Sequence, residues 1–246
     1  MTVDLAVVLL AAISGYLAGS ISSARLAARR VAPDVDITRI VTTVGDGIEF
    51  TSDTVSATAL RMKVGRRYGL LVVGLDMLKA IVPVLAFRLA VPDQPAFVVA
   101  AAGVLIGHNW PVWYRFKGGR GESVILGSLL VFDPVGLVAM LGLGMLLGFL
   151  AGNILVLRWA GFILLVPWLA IVAGSPAMAA WMVFADVVFA IAMIPELRQY
   201  LAMRRLANDP SNEEIALEYG MGASLGRALD RYSIPGLLGR LRRPAD

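Results

Sequence analysis

The sequence predicts an all-α fold, a polytopic bundle of about seven transmembrane helices. Of 246 residues, 58% are hydrophobic and only 16% are charged, and the mean hydropathy is +0.76. An ordinary soluble domain is about 45–50% apolar and about 25% charged. Apolar residues at this density exceed what a single core can bury, so much of the surface must face lipid. The composition therefore excludes an ordinary soluble enzyme.

Several apolar stretches approach the length of a membrane-spanning helix, because a helix rises about 1.5 Å per residue and the hydrocarbon layer is about 30 Å thick. The first lacks a preceding basic residue and is expected to be a retained helix rather than a signal peptide. Some are short, so five to seven spans are expected. The stretches are 5–24, 70–89, 96–107, 123–132, 135–154, 160–173 and 178–194.

The arginines and lysines predict the orientation of the bundle. With the amino terminus outside, the polar segments 25–69, 108–122 and 195–246 and the turn near Arg158 share one side. That side holds 20 of the 22 basic residues, leaving Lys79 and Arg88. By the positive-inside rule it faces the cytoplasm, with the carboxyl terminus. The net charge of +4 therefore follows from topology, and no nucleic-acid partner is expected.

The chain is expected to divide into a membrane domain, 1–206, and a basic cytoplasmic tail, 207–246. The segment from Ser211 suits a helix start. Further on, leucines alternate with arginines, a pattern typical of an amphipathic helix on an anionic leaflet. A disordered basic tail is the alternative. The alternating residues are Leu237, Leu238, Arg240, Leu241, Arg242 and Arg243.

Residues 107–121, GHNWPVWYRFKGGRG, are the segment richest in chemical information. Glycines let backbone N–H groups approach an anion closely, and lysine and arginine supply positive charge, so the segment suits a phosphate. The alternative is a positive-inside loop with the interfacial aromatics Trp110, Trp113 and Tyr114. The chain has no cysteine and one histidine, so neither a metal site nor another cofactor is expected.

This segment resembles the second signature loop of the bacterial acyl-phosphate-dependent glycerol-3-phosphate acyltransferases, the PlsY type. That family reads Gly-His, two residues, Pro-Val and then Lys-Phe-Lys-Gly-Gly-Lys-Gly. The resemblance extends to about residue 206 and implies seven helices, an external amino terminus and cytoplasmic signature loops. The further matching elements are Gly19-Ser20-Ile21, Asp36-Ile37 with Arg39, Ala57-Thr58 with Arg61 and Gly65, and Asp76 with Leu78 and Lys79.

The resemblance implies a multi-pass enzyme of phospholipid synthesis in the bacterial inner membrane, in contact with membrane lipids. It would move an acyl group from acyl phosphate to the first hydroxyl of glycerol 3-phosphate, giving lysophosphatidic acid. The implied catalytic residues are His108, Thr43, Lys117 and Arg120. Orientation of the loop is the alternative role of His108. The implied phosphate-binding residues are Arg39, Thr58, Arg61, Lys117, Gly118, Gly119, Arg120 and Gly121.

The sequence departs from two family signatures. Both asparagines of the first signature are absent from 42–45 and 56–59, and the insertion between them, 45–53, lacks the ligand spacing of a calcium loop. The third signature, His-Arg-x-Asn, should fall within 198–205, which contains neither histidine nor asparagine. These departures favour an alternative, a catalytically retired paralogue that binds lipid or serves as a structural subunit of a larger membrane complex.

Two further patterns predict helix packing rather than chemistry. Asp76 and Lys79 lie three residues apart in an apolar stretch, where charges are costly, and are expected to form an internal ion pair. Their alternative role is contact with the substrate. Gly144, Gly148 and Gly152 recur at every fourth residue and predict a close helix contact.

Overall fold

A computed structural model of the chain describes residues 4–44, 48–52, 55–206, 211–218 and 221–241. Among these, six helical segments are long and apolar enough to cross a membrane, and a seventh apolar helix is shorter. The predicted transmembrane helix bundle is confirmed. The helices are α1 Leu5–Gly19, α2 Ser23–Val31, α3 Ala57–Lys63, α4 Arg66–Ala90, α5 Ala96–Asn109, α6 Glu122–Phe132, α7 Pro134–Ala151, α8 Ile154–Pro167, α9 Pro176–Leu206, α10 Asn212–Glu218, α11 Ala223–Tyr232 and α12 Ile234–Leu241.

Capping residues move several helix ends away from the predicted positions. The stretch 5–24 is broken, because the Ser22 side chain accepts a hydrogen bond from Arg25 N and starts α2. The stretch 135–154 ends early, at Gly152, whose φ of 64° closes α7. Asn153 then caps α8, which begins before the predicted residue 160 and passes into a π-helical turn, Trp168–Val172.

Contacts between turns show that successive spans run in opposite directions. At one end of the bundle, Asp4 N donates to Gln94 Oε1 over 3.1 Å. The Trp168 indole donates to Asp133 over 2.8 Å, which joins two other turns. At the opposite end, Arg158 forms an ion pair with Glu122. The side that faces the cytoplasm remains a prediction from the basic residues.

Glycines bring α1 and α5 into backbone contact. A Cβ atom on Gly15 or Gly19 would lie only 2.4 or 2.2 Å from a carbonyl oxygen of α5, that of Ala100 or Val104. The contact is reciprocal, because a Cβ on Gly107 would lie 2.1 Å from Tyr16 O. Small residues four apart on each helix permit this approach. The crossing fixes the end of α1 beside the last turn of α5.

The predicted glycine packing on α7 is confirmed at two of three positions. A Cβ on Gly144 would lie 2.2 Å from Gly161 N, and one on Gly148 would lie 2.0 Å from Leu157 N, both on α8. Gly152 ends α7 instead, and a Cβ there would approach Ser233 of the tail.

Two short strands lie between α2 and α3. β1 Ile40–Val44 pairs antiparallel with β2 Ile48–Ser52, and β2 contacts α9. The predicted insertion 45–53 is thus largely one strand of a hairpin. Its residues 45–47 and 53 lie outside the described residues. The absence of a calcium loop there therefore stays a prediction from the sequence.

The tail is helical where it is described, and it packs on the turn between α7 and α8. Asn212 Nδ2 donates to Gly152 O over 2.9 Å, while Asn212 Oδ1 accepts from Ile154 N. Ile215 and Leu229 join Ile154 in a small apolar cluster. The tail is therefore attached to the end of the bundle that carries Arg158.

Candidate functional site

The residues that join α5 to α6, 110–121, form a loop that we call the glycine loop. A small polar cavity lies beneath it, where α1, α2, α4 and α5 meet. Its volume is about 10 Å³, roughly the space that one water molecule needs. The side chains that line it include Ser20, Ser23, Asp76, Lys79 and His108. The backbone of Gly118 and Gly119 closes one wall. The structure therefore brings the Asp76–Lys79 pair next to His108 and the glycine loop, although the two lie far apart in the sequence.

Lys79 is the centre of this cluster. Its ammonium lies 2.8 Å from Asp76 Oδ1, 2.8 Å from Ile21 O and 2.9 Å from His108 Nδ1. A lysine ammonium has three N–H donors, so these three acceptors satisfy it completely. Ser23 Oγ donates to the same Asp76 oxygen over 2.7 Å. The predicted Asp76–Lys79 pair is thus part of a network that joins three helices.

The network restricts what His108 can do. Because Nδ1 accepts a hydrogen bond from Lys79, the neutral ring carries its own proton on Nε2. Nε2 faces Gly119, where a Cβ atom would lie only 2.2 Å away. In this arrangement neither ring nitrogen is free to accept a proton from a substrate, so the geometry favours the orienting role over that of a base.

The glycine loop follows the backbone of His108 closely. Gly119 N donates to His108 O over 3.0 Å, and a Cβ on Gly118 would lie 2.1 Å from that oxygen. Gly121 has a φ of 94° and a Cβ there would meet the Leu105 side chain at 2.3 Å. Since each position excludes a side chain, the glycines are required by geometry and not only by flexibility.

A tight turn presents Lys117 at the surface. Lys117 N donates to Tyr114 O over 3.1 Å, and both residues between them have positive φ, 53° for Arg115 and 60° for Phe116. Non-glycine residues rarely adopt this conformation, and such strain is concentrated at functional sites. The Lys117 side chain is exposed, whereas Arg120 is half-buried.

Two side chains from other helices hold the loop. Arg25 Nη1 donates to Lys117 O over 2.8 Å, and the Arg25 guanidinium lies 4.5 Å from the centre of the Tyr114 ring. Tyr16 OH donates to Trp110 O over 3.0 Å. The loop backbone is therefore fixed at three points, counting the bond between Gly119 and His108.

Two buried polar side chains beside the loop have no hydrogen-bond partner within the described part of the chain. They are Ser20, through its hydroxyl, and Asn109, through both atoms of its amide. Gly121 lies above Asn109, since a Cβ there would be 2.9 Å from Asn109 Oδ1. Buried polar groups normally have partners, so these atoms are available to a ligand or to water.

The remaining predicted phosphate-binding residues lie on the segments that precede α4. Arg61 and Thr58 are on α3, and Arg39 lies in the loop before β1. Among the described residues, no hydrogen bond or ion pair links these three side chains to the glycine loop. Thr43 lies on β1 opposite Glu49, and its side chain is outside the described set.

The loop that carries Arg39 is ordered by local contacts. The hydroxyl and the backbone N–H of Thr38 donate to Asp36 Oδ1 over 2.6 and 2.8 Å. These bonds hold the pKa of the Asp36 carboxyl below its ordinary value, and the bond from the hydroxyl contributes most. Lys63 donates to the carbonyl oxygens of Asp36 and Arg39, which attaches this loop to α3.

Sequence reasoning missed four residues of the site, namely Ser20 as a polar group, Ser23, Arg25 and Asn109. A signal was present for Ser20, because Gly19-Ser20-Ile21 is one of the elements that carry the family resemblance. The sequence indicated Arg25 only as one of the basic residues that predict the orientation of the bundle. Nothing in its local pattern reveals a contact with Lys117, 92 residues away.

Comparisons with known proteins agree with the fold and the motifs. A model of the family described as glycerol-3-phosphate acyltransferase matches residues 9–208. A glycerol-3-phosphate acyltransferase of Anaeromyxobacter sp. strain K is 40% identical over 138 residues, which cover 54% of this chain and 63% of the relative. One from Legionella pneumophila strain Corby is 32% identical over 121 residues, 49% of this chain and 40% of the relative.

A solved structure shares the architecture. The crystal structure of PlsY (YgiH), an integral membrane glycerol 3-phosphate acyltransferase, in its glycerol 3-phosphate form, superposes with a TM-score of 0.64 at 24% identity. The match covers 80% of this chain and 93% of that one. The matched segments span between 40% and 63% of the curated relatives' lengths. With the family match over residues 9–208, the chain belongs to the glycerol-3-phosphate acyltransferase family.

Proposed function

We propose that this protein transfers an acyl group from acyl phosphate to the first hydroxyl of glycerol 3-phosphate at the cytoplasmic face of a bacterial inner membrane. The hydroxyl oxygen forms a bond to the acyl carbon, and the bond from that carbon to the phosphate oxygen breaks. The hydroxyl proton leaves with the released hydrogen phosphate, and lysophosphatidic acid remains. No metal or cofactor takes part in this balance.

The observation that carries the proposal is the fixed glycine loop over a buried ionic network. Both substrates are phosphate anions, and the loop places Lys117 and Arg120 beside Gly118 and Gly119. Cations and backbone dipoles that are already in position stabilise developing charge without reorganisation. Three anchors, through Arg25, His108 and Tyr16, supply that rigidity.

The size of the inner cavity decides where the phosphates lie in this proposal. Because about 10 Å³ holds only one water molecule, the phosphate groups bind on the outer face of the loop. There Lys117 is exposed to the incoming anion. The network of Asp76, Lys79 and His108 supports the loop from beneath and does not touch substrate.

A groove between α8 and α9 suits the acyl chain. Its volume is about 380 Å³, and its walls are almost wholly apolar. It begins at Leu155 and Trp159, which flank Arg158, and Arg158 pairs with Glu122, the residue after Gly121. Transfer of a chain from water into this groove contributes about 0.8 kcal/mol per CH₂. The groove lining comprises Leu155, Trp159, Phe162, Ile163, Asp186, Val187, Phe189, Ala190, Met193 and Leu197.

The retired-paralogue alternative, within a larger membrane complex, keeps one specific observation in its favour. Residues 198–205 contain none of the histidine and asparagine that the third family signature requires. Such a protein would retain the groove and the loop but would not catalyse transfer.

An assay separates the two functions. Purified protein in lipid nanodiscs receives palmitoyl phosphate and glycerol 3-phosphate, and both phosphate release and lysophosphatidic acid are measured. We expect release that requires both substrates and that falls about 100-fold in Lys117→Ala. Arg30→Gln, at an exposed arginine on α2, is the matched control and should keep activity. Equal, background release from wild type and Lys117→Ala would refute the acyltransferase proposal.

A further inference from the structure

The described tail ends in an apolar stripe that is about half exposed among the described residues. Ile234, Leu237 and Leu238 lie at positions i, i+3 and i+4 of α12. Ile234 is 53% exposed, Leu237 47% and Leu238 49%. Tyr232, at the end of α11, is 54% exposed beside them. A short helix with one exposed apolar face requires an apolar environment for that face.

The attachment of the tail brings this stripe to the end of a membrane span. Ser233 is buried, and its hydroxyl accepts from Gly236 N at the start of α12. A Cβ on Gly152 would lie 2.6 Å from Ser233 Oγ and 3.6 Å from Pro235, so α12 begins where α7 ends. The last turns of α7 expose Leu146 and Leu150 on the lipid-facing surface. α12 therefore starts at the end of α7, next to turns that expose apolar side chains.

The charge of the segment identifies the partner. Arg240, Arg242 and Arg243 interrupt or follow the leucines, and Arg231 stands over the Tyr232 ring at 5.5 Å. An apolar stripe whose sequence carries arginines within and directly after it matches an acidic headgroup layer above hydrocarbon. We propose that α12 lies in the plane of the membrane and binds the anionic lipids of the leaflet that surrounds the end of α7.

This surface is independent of the acyltransferase proposal, since it lies beyond the residues that match the family. The chain has no cysteine, so a single introduced cysteine reports one position. Leu238→Cys places a nitroxide label on the stripe, and Ser224→Cys places it on an exposed polar position of α11 as the matched control. Both full-length variants are reconstituted in nanodiscs of phosphatidylcholine alone and of phosphatidylcholine mixed with phosphatidylglycerol.

Paramagnetic relaxation then distinguishes the surroundings of the label, because oxygen concentrates in hydrocarbon and a nickel chelate stays in water. We expect the label at 238 to favour oxygen in discs with phosphatidylglycerol and to be reached by nickel in neutral discs. The label at 224 should be reached by nickel in both. Changing Arg240, Arg242 and Arg243 to glutamine in the Leu238→Cys background should weaken the association of α12 with the surface of the anionic discs roughly 100-fold.

Three results would overturn the proposal. Nickel could reach residue 238 as readily as residue 224 in anionic discs, which would leave the stripe in water. Shielding from both reagents would show that protein covers it, either a second copy or another chain. An equal preference for oxygen in neutral and anionic discs would remove the anionic lipid from the interaction.

Discussion

Lys79 Nζ lies 2.9 Å from His108 Nδ1, and this contact joins α4 to the last turn of α5. The same ammonium binds Asp76 and the carbonyl of Ile21, so its three protons are all used. Deep in a membrane protein, a charge so fully satisfied serves as a fixed support. The loop that begins after His108 therefore rests on the ends of α1 and α5 and on the middle of α4.

Loss of the lysine should destabilise the fold strongly. Lys79→Met leaves the Asp76 carboxylate, whose side chain is 6% exposed, without its cation. An unpaired buried charge costs about 3–5 kcal/mol, so the thermal unfolding midpoint in detergent should fall markedly. The double variant Asp76→Leu with Lys79→Met should recover most of that loss. A double variant as unstable as the single one would contradict the ion-pair explanation.

A methyl group on the glycine loop should impair activity. Gly119→Ala puts a Cβ atom 2.2 Å from His108 Nε2, and the ring cannot retreat because Lys79 holds it. A loop displaced by about 1 Å costs roughly 100-fold in acyl transfer, measured as phosphate release. Gly74→Ala is the control, since nothing lies within 4 Å of its Cβ position. Wild-type activity in Gly119→Ala would show that the loop position is irrelevant to turnover.

The anchor from α2 should affect substrate binding. Arg25→Lys keeps the charge but loses the guanidinium geometry that reaches Lys117 O and the Tyr114 ring. A hydrogen bond from a charged donor contributes about 1.5–3 kcal/mol, so KM for glycerol 3-phosphate should rise about tenfold or more. Arg29→Lys, an exposed neighbour on α2, should leave KM unchanged. Equal values of KM in the two variants would count against the anchor.

The groove between α8 and α9 should set the length of the acyl chain. Ala190→Trp fills space in the groove, whereas Ala180→Trp adds the same side chain to an exposed position of α9 outside it. With palmitoyl phosphate, activity should fall about tenfold in the first variant only, and with octanoyl phosphate it should be kept. Loss with both donors, or with neither, would place the chain elsewhere.

The fold was predictable because lipid imposes length and apolarity on each span. The four-residue spacing of the glycines likewise predicted a close helix contact, which Gly144 and Gly148 make with α8. The break after Gly19 was not foreseen, although serines interrupt the run at positions 20, 22 and 23 and the Ser22 side chain caps α2. For the hairpin, strand pairing between 40–44 and 48–52 depends on partners that hydropathy does not describe.

The candidate site was predictable only in part, for a similar physical reason. Composition marked Gly118 and Gly119, because clustered glycines and cations are unusual at a membrane edge. The orientation of His108 depends on Lys79, 29 residues earlier, and on a proton that only geometry places. Ser23 and Arg25 act through contacts with distant segments. Such contacts leave no periodic pattern in the chain.

The crossing of α1 and α5 also determines which substitutions these helices tolerate during evolution. Gly15, Gly19 and Gly107 each admit no atom beyond hydrogen, so even alanine is excluded there. On the opposite face of α1, Leu9 and Leu10 are more than half exposed to lipid and can exchange with any residue of similar hydropathy. Within one helix, sequence drift is thus free on one face and forbidden on the other. Relatives can diverge widely in sequence while the end of α1 stays beside His108.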